Sequence, residues 1–402
     1  MKSTRGMGAW CWCLTAAACC GQPIAEVPLR LAFGRGSAAA GFTVVAPDQI
    51  YEVDRGLGFE PGGKVVAGNG FCTSEQPFYF SVKLPEGNYR VTVTLGDPAG
   101  EATTTVKAEL RRLMLEKVAT KNETVRRTFI VNVRTPQIAG GGEVRLKDRE
   151  RTAEARAWDD RLTLEFSGQR PCLVRLEIEK ANVPTLYLLG DSTVCDQPAE
   201  PFASWGQMLT RFLKPEIAVA NHAESGESLR SSLGAKRLDK VLSTMKAGDW
   251  LFIQYGHNDM KAADAAAYKA DLKRFVVAAR EKGGQVVLIT PMHRRTFAGG
   301  TITNSHRDFP DAVRALATEE KAPLIDLHAM SKVLYEAWGP EKSILAFSTP
   351  RDGTHHNNYG SYELAKCIIE GIRQNKLDLA RFIGDDAPVF DPGHPDPLSP
   401  GP

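Results

Sequence analysis

Leu186-Tyr187-Leu188-Leu189-Gly190-Asp191-Ser192-Thr193 opens with four apolar residues and stops abruptly at a glycine and three small polar ones. A strand-length apolar run without alternation is the pattern of a strand covered on both faces, as parallel sheets require. Three similar runs follow: Trp250-Leu251-Phe252-Ile253-Gln254, Val286-Val287-Leu288-Ile289 and Leu324-Ile325-Asp326-Leu327. Helical patterns occupy residues 205–213, 265–282, 308–320 and 360–374. Strands alternating with helices mean βαβ units, so residues 184–384 are expected to form an α/β domain with a parallel sheet covered on both faces.

Upstream of Pro184 the pattern changes. Alternating stretches recur, among them Phe78–Val82, Tyr89–Leu95, Arg127–Val133, Arg161–Phe166 and Cys172–Ile178. Turn clusters such as Pro85-Glu86-Gly87-Asn88 and Gly140-Gly141-Gly142 separate them. Short strands without helices predict an antiparallel β-sandwich over residues 28–181. Residues 385–402 are rich in Pro, Asp and Gly and are expected to be an irregular tail.

Lys2 and Arg5 precede an apolar, small-residue run from Met7 to Cys20 that is too short to span a bilayer. That is the layout of an export signal, so residues 1–20 are read as a leader and the protein as secreted or periplasmic. Ala16-Ala17-Ala18 lead into Cys19 and Cys20, which leaves a lipid anchor at either cysteine as the alternative. Four cysteines remain, Cys72, Cys172, Cys195 and Cys367. They pair within domains as Cys72–Cys172 and Cys195–Cys367, or stay free as buried small hydrophobes.

The 402 residues carry 50 Lys+Arg against 48 Asp+Glu, a formal +2. No basic excess points to nucleic acid, and no later segment is apolar enough to cross a membrane. The chemistry is expected at the carboxyl ends of the parallel strands, where open α/β sheets gather reactive groups. Four segments stand there. Gly190-Asp191-Ser192-Thr193 presents a hydroxyl at a tight turn, without the Gly-x-Ser-x-Gly elbow of α/β-hydrolases. Asn221-His222-Ala223-Glu224-Ser225-Gly226-Glu227-Ser228 has a glycine where a backbone N–H can approach a ligand. Gly256-His257-Asn258-Asp259 puts an amide after a strand. Asp352-Gly353-Thr354-His355-His356 spaces a carboxylate three residues before a histidine, close enough to hold its ring. Taken singly, the first two segments read better as a cap and a turn, whereas the Gly-His-Asn-Asp run is unusual by itself. The adjacent histidines lack a Cys or carboxylate cluster to complete a metal site, so no metal and no cofactor is expected.

Together, and in this order, the segments resemble the SGNH (GDSL-like) hydrolase family, in particular its rhamnogalacturonan acetylesterase branch. The likeness covers about residues 185–380. It rests on Gly190-Asp191-Ser192-Thr193, Asn221-x-Ala223 with Gly226 and Ser228-x-Arg230-Ser231, Gly256-His257-Asn258-Asp259, Thr290-Pro291 with Arg294-Arg295, and Asp352-Gly353-Thr354-His355. It implies a three-layer, flavodoxin-like domain and a serine esterase, with Ser192 as nucleophile, His355 as base and Asp352 orienting it. The oxyanion hole would be the Ser192 and Gly226 N–H groups with the Asn258 side chain. Asp191 would be structural, tying loops together. His356, Glu227 and Arg294 are candidate substrate contacts, although the branch often has Arg where Glu227 stands. The first half resembles galactose-binding-like modules, with Tyr51 and Trp158 as candidate sugar-stacking aromatics.

The resemblance implies hydrolysis of acetyl esters on plant cell-wall polysaccharide, pectin or rhamnogalacturonan first and xylan second. Two other readings stand beside it. A short-chain lipid esterase would share the triad, against which the polar loop Asn304-Ser305-His306-Arg307 speaks. A carbohydrate-binding protein with an inactive hydrolase domain would lack one of Ser192, Asn258, Asp352 or His355.

Overall fold

The computed structural model describes residues 27–36 and 39–398. The leader expected over residues 1–20, with Cys19 and Cys20, lies outside the described residues. Five parallel strands form the sheet of the second half, in the order Ala218–Asn221, Thr185–Gly190, Trp250–Gln254, Gln285–Ile289 and Leu324–Ile325. The inner strands are buried throughout, which is why they read as unbroken apolar runs. One face packs under Leu229, Val241, Leu272, Phe275 and Leu316. The other packs under Trp205, Leu334, Leu364 and Ile368. Helices therefore cover both faces, giving an α/β domain. Asp264 caps the helix Ala265–Glu281 by accepting the Ala267 N–H at 2.7 Å, and Asn357 caps Asn358–Gln374. The expected helix over residues 205–213 is one α turn, Trp205–Met208, running into a 3₁₀ turn, Leu209–Phe212. Leu327, expected in the last strand, instead begins the helix Leu327–Lys342, capped by Asp326.

Ten strands precede this domain, joined in one hydrogen-bonded sheet. Pairing is antiparallel except between Leu29–Phe33 and Thr43–Val45. Two 22-residue strands, Gly87–Ala108 and Arg112–Val133, form a long hairpin. Gly87–Ala108 pairs with Cys172–Lys180 through its first half and with Arg161–Gln169 through its second. It changes neighbours where the register slips between Asp97 and Glu101. Phe33, Phe59, Phe78, Phe80 and Phe166 pack ring on ring in its core. Cys72, Cys172, Cys195 and Cys367 are free and buried, the second of the two arrangements expected. Residues 385–398 carry no helix or strand.

The two halves are locked together by charge and hydrogen bonds. Arg237 and Glu150, both fully buried, pair across the boundary at 2.7 Å. Arg112 reaches Asp196 at 3.1 Å and the Val219 carbonyl at 3.0 Å. Gln207 donates to the Leu110 carbonyl, and Thr210 to the Leu113 carbonyl. The tip of the long hairpin is thus inserted against the strand ends that carry the candidate site.

Candidate active site

The strand Thr185–Gly190 runs out at the carboxyl edge of its sheet, and Ser192 lies in the turn that follows. The Val194 and Cys195 N–H groups both donate to the Asp191 carbonyl there. Gly190 is needed for space: a Cβ would stand 2.5 Å from Val194 Cγ2 and 2.7 Å from the Gln254 carbonyl oxygen. Gln197 donates to the Ser192 carbonyl at 2.7 Å, which fixes the turn from the far side.

Ser192 Oγ lies 2.9 Å from His355 Nε2. His355 Nδ1 lies 2.8 Å from Asp352 Oδ2. The spacing of three residues works because Asp352 Oδ1 also accepts the N–H groups of Thr354 (2.8 Å) and His355 (2.9 Å), curling the chain around the carboxylate. Ser348 donates to Asp352 Oδ2. Partial burial alone would raise the Asp352 pKa, but these donors and His355 outweigh it and hold the group down at about 2. A carboxylate that stays ionised keeps the proton of His355 on Nδ1 and leaves Nε2 free to accept one from Ser192.

The other candidates converge on the same turn. The Glu224 N–H donates to the Gly190 carbonyl at 3.1 Å, hanging the 222–228 loop beside Ser192. Gly226 has φ +77°, a conformation that favours glycine. Asn258 donates one amide hydrogen to the Glu227 carbonyl at 3.0 Å, and its other hydrogen remains for a ligand. Among the described residues no acceptor takes the N–H of Ser192 or of Gly226. Asp191 is wholly buried; Oδ1 accepts Thr193 N–H and Oγ, and Oδ2 faces His257 Nδ1 at 3.3 Å. Burial opposes its ionisation, but His257 and Thr193 pull its pKa below the usual carboxylate range. It ties loops together as expected.

Three expectations are corrected. His356 does not face the cleft: it is buried, shares a 2.8 Å hydrogen bond with Tyr335 Oη and packs on Phe347. Neighbouring residues on extended backbone point apart, so His355 at the site sends His356 into the core. Glu227 is also buried, held by Lys147 Nζ at 2.8 Å and by Ser231 Oγ, so its side chain serves the domain boundary and not a substrate. Trp158 is no sugar platform, since Arg134 lies over its ring at 4.6 Å and the ring is packed beside Leu110 and Val144. Arg294 adjoins the site by donating to the His257 carbonyl at 3.1 Å, and Tyr51 has Arg161 over its ring at 5.1 Å.

Some participants carried no local signal. Phe202 sets its ring edge-on to His355, centroids 5.8 Å apart. Arg149, from the first half, binds Glu224 Oε1 through Nε at 2.7 Å and also reaches the Ser225 carbonyl. These contacts span some 75 residues of chain, and no spacing rule announces them.

Residues 188–361 match the GDSL-like lipase/acylhydrolase family. The chain is 39% identical over 212 residues to rhamnogalacturonan acetylesterase RhgT of Bacillus subtilis, a match covering 48% of this chain and 91% of that protein. It is 34% identical to the probable rhamnogalacturonan acetylesterase YesY of the same organism, over 49% of this chain and 96% of that one. A third B. subtilis protein, the uncharacterized esterase YxiM, is 28% identical over 86% of this chain and 90% of its own length.

Proposed function

The chain belongs to the GDSL-like lipase/acylhydrolase family, in its rhamnogalacturonan acetylesterase-like branch, and from that premise we propose that it removes acetyl groups from a plant cell-wall polysaccharide through an acyl-enzyme on Ser192. It is a carboxylic ester hydrolase of the carbohydrate acetylesterase kind. The observation that carries the mechanism is the continuous hydrogen-bonded line from Ser192 Oγ through His355 to Asp352, at 2.9 and 2.8 Å.

In the proposed cycle Ser192 Oγ attacks the acetyl carbonyl carbon while His355 Nε2 takes its proton. The carbonyl oxygen, now anionic, meets the Ser192 and Gly226 N–H groups and Asn258 Nδ2. Such donors act where charge develops, and losing one typically costs ~10²–10³ in turnover. The intermediate collapses as His355 protonates the leaving sugar oxygen. Water, activated by the same imidazole, then releases acetate and restores Ser192. Asp352 remains charged throughout.

Rhamnogalacturonan or pectin is the proposed polymer, supported by the names of the two relatives above 30% identity. We further propose that residues 28–181 form a galactose-binding-like sandwich ahead of a catalytic domain over 184–384, that glycan contacts extend onto it, and that the protein is exported. Among the described residues no helix is long and apolar enough to cross a membrane. The test is a panel of acetylated rhamnogalacturonan, acetylated xylan and p-nitrophenyl esters of rising chain length. Acetate release from the pectic polymer with a preference for the shortest ester supports the reading. A rate that climbs with acyl length would make it a lipid esterase.

A further inference from the structure

A groove of about 450 Å³ opens between the two halves, reaching from the amino ends of two parallel strands up to His222. Thr185 and Asp249, which line it, stand at the amino ends of their strands. Six residues of strand put roughly 20 Å between this edge and the Ser192 turn. The volume falls within the ~300–1,000 Å³ of small-molecule sites.

Its walls hold an unusual excess of unused polar groups. Arg134 is 3% exposed, yet among the described residues its guanidinium makes no hydrogen bond and no ion pair; Nε and Nη1 have neither partner nor solvent. It lies over the Trp158 face at 4.6 Å, and it feels Asp196, Glu109 and Glu150 only through space, with Arg112 as an opposing like charge. Burial lowers its pKa to about 10, so it remains cationic at neutral pH. A buried guanidinium whose N–H groups make no hydrogen bond is costly even where distant carboxylates offset part of its charge, and native structures leave few polar groups unpaired. The two carboxylates on the walls are already engaged. Glu86 is held by Lys240 at 2.7 Å and by Thr135, and Asp249 accepts the Thr185 and Lys246 N–H groups at 2.8 Å each. Asn132 Oδ1 and His222 Nδ1 are likewise buried and unpartnered. Asn88, the Tyr187 ring and the exposed cations Lys180 and Lys246 also line it.

We propose that this groove is a second ligand site, separate from the esterase centre, that binds a hexuronate: its carboxylate on Arg134, its ring hydroxyls on Asn132, Asn88 and His222. The cation calls for an anion. The volume, the share of about fifteen waters, is far larger than a simple carboxylate needs. The mixed amide, imidazole and phenol lining suits a polyhydroxylated ring. The site does not depend on Ser192 chemistry, so it stands whether or not the esterase reading does.

The test is calorimetric titration of the whole protein with D-galacturonate, D-galactose and sodium acetate. Galacturonate should bind at least ~10-fold more tightly than either of the others. Arg134→Gln should weaken it ~10-fold or more. Lys180→Glu, at an exposed position on the rim, should weaken it too and is the variant to read if Arg134→Gln does not fold. Hydrolysis of p-nitrophenyl acetate should be unchanged in both, since neither residue has a hydrogen bond or ion pair with Ser192, His355, Asp352, Gly226 or Asn258. Equal binding of galactose, equal binding of acetate, no galacturonate binding at all, or wild-type affinity in Lys180→Glu would each overturn the proposal.

Discussion

Arg111, at the tip of the long hairpin, donates to the Phe202 carbonyl at 3.0 Å, and the Phe202 ring meets His355 edge-on. The same guanidinium also reaches the Gln197 carbonyl, Glu200 and Asn358. The first half of the chain therefore braces the loop that flanks the proposed base. Arg149 does the same for the Gly226 loop through Glu224. Arg111→Ala should leave the nucleophile in place but loosen His355, lowering kcat/KM on p-nitrophenyl acetate by about tenfold, or ~1.4 kcal/mol. A value within twofold of wild type would show that the brace has no bearing on the reaction.

Ser192 is the only proposed group that forms a bond to the substrate. Ser192→Ala removes one oxygen from a small turn held by Asp191, so melting temperature and circular dichroism should match wild type. Esterase turnover should fall by several orders of magnitude. Retention of a tenth of the activity would sink the assignment.

The adjacent histidines should separate cleanly. His355→Ala is expected to abolish turnover at every pH while the protein stays folded. His356→Ala opens a hole beside Tyr335 and Phe347 and strands the Tyr335 hydroxyl. It should cost ~2–4 kcal/mol of stability by analogy with large-to-small core changes, with KM little altered. Thermal melts and steady-state kinetics on both variants decide it. The opposite pattern would move the base by one position.

Much of this was legible because local chemistry and tertiary role agree in the parallel sheet. Trp250–Gln254 is a strand with the same bounds in sequence and structure, since a strand buried on both faces must be apolar at every position. Asp352 and His355 are three residues apart, so their contact is local. The long hairpin was not legible as such. Its strands pass through Gly96-Asp97-Pro98-Ala99-Gly100 and through Asn122 at φ +53°, residue types that disfavour a strand, and pairing along 22 residues overrides them. The helix Leu327–Lys342 was hidden by Gly339-Pro340, which break it near its end. Glu227 and His356 depart from expectation for one reason: sequence gives a side chain's neighbours along the chain, and both side chains are held by residues far from them in sequence, Lys147 and Tyr335.

Asp352 supplies a pH signature of its own. Its pKa is about 2 in the folded protein against an ordinary 3.8. A group with a depressed folded pKa contributes stability above its unfolded pKa and loses it as pH falls through the folded one. Asp352→Asn should therefore be less stable than wild type at pH 7, by roughly 2 kcal/mol at most. The gap should close between about pH 4 and pH 2, and turnover should be severely impaired because the imidazole loses its orienting charge. Chemical denaturation across that range is the measurement, and a gap that widens on acidification would contradict the assignment.

Acid should strike the whole fold before it reaches Asp352. His222, His293, His306, His328 and His356 are all buried, and burial foremost lowers their pKa values, to about 4 for His293 and His328 and about 3 for His356. Three of them stand ring to ring, His293 on His328 at 3.6 Å and His306 edge-on at 6.0 Å, so a charge on one disfavours a charge on the next. The unfolded chain protonates these rings near pH 6.5 and the folded chain does not. Between about pH 6.5 and pH 4 these five rings make the unfolded state bind more protons and pull stability down as pH falls, by up to ~1.4 kcal/mol per pH unit for each. Glu109, Glu224 and Asp259, whose burial raises their pKa values, act in the opposite sense. The melting temperature should drop from pH 6.5 to 5, where five rings act against three carboxyls. His328→Gln should lower it at pH 8, through lost packing, yet flatten the decline below. A wild-type melting temperature unchanged from pH 7 to pH 5, or a His328→Gln slope as steep as wild type, would mean that these rings take up protons without unfolding.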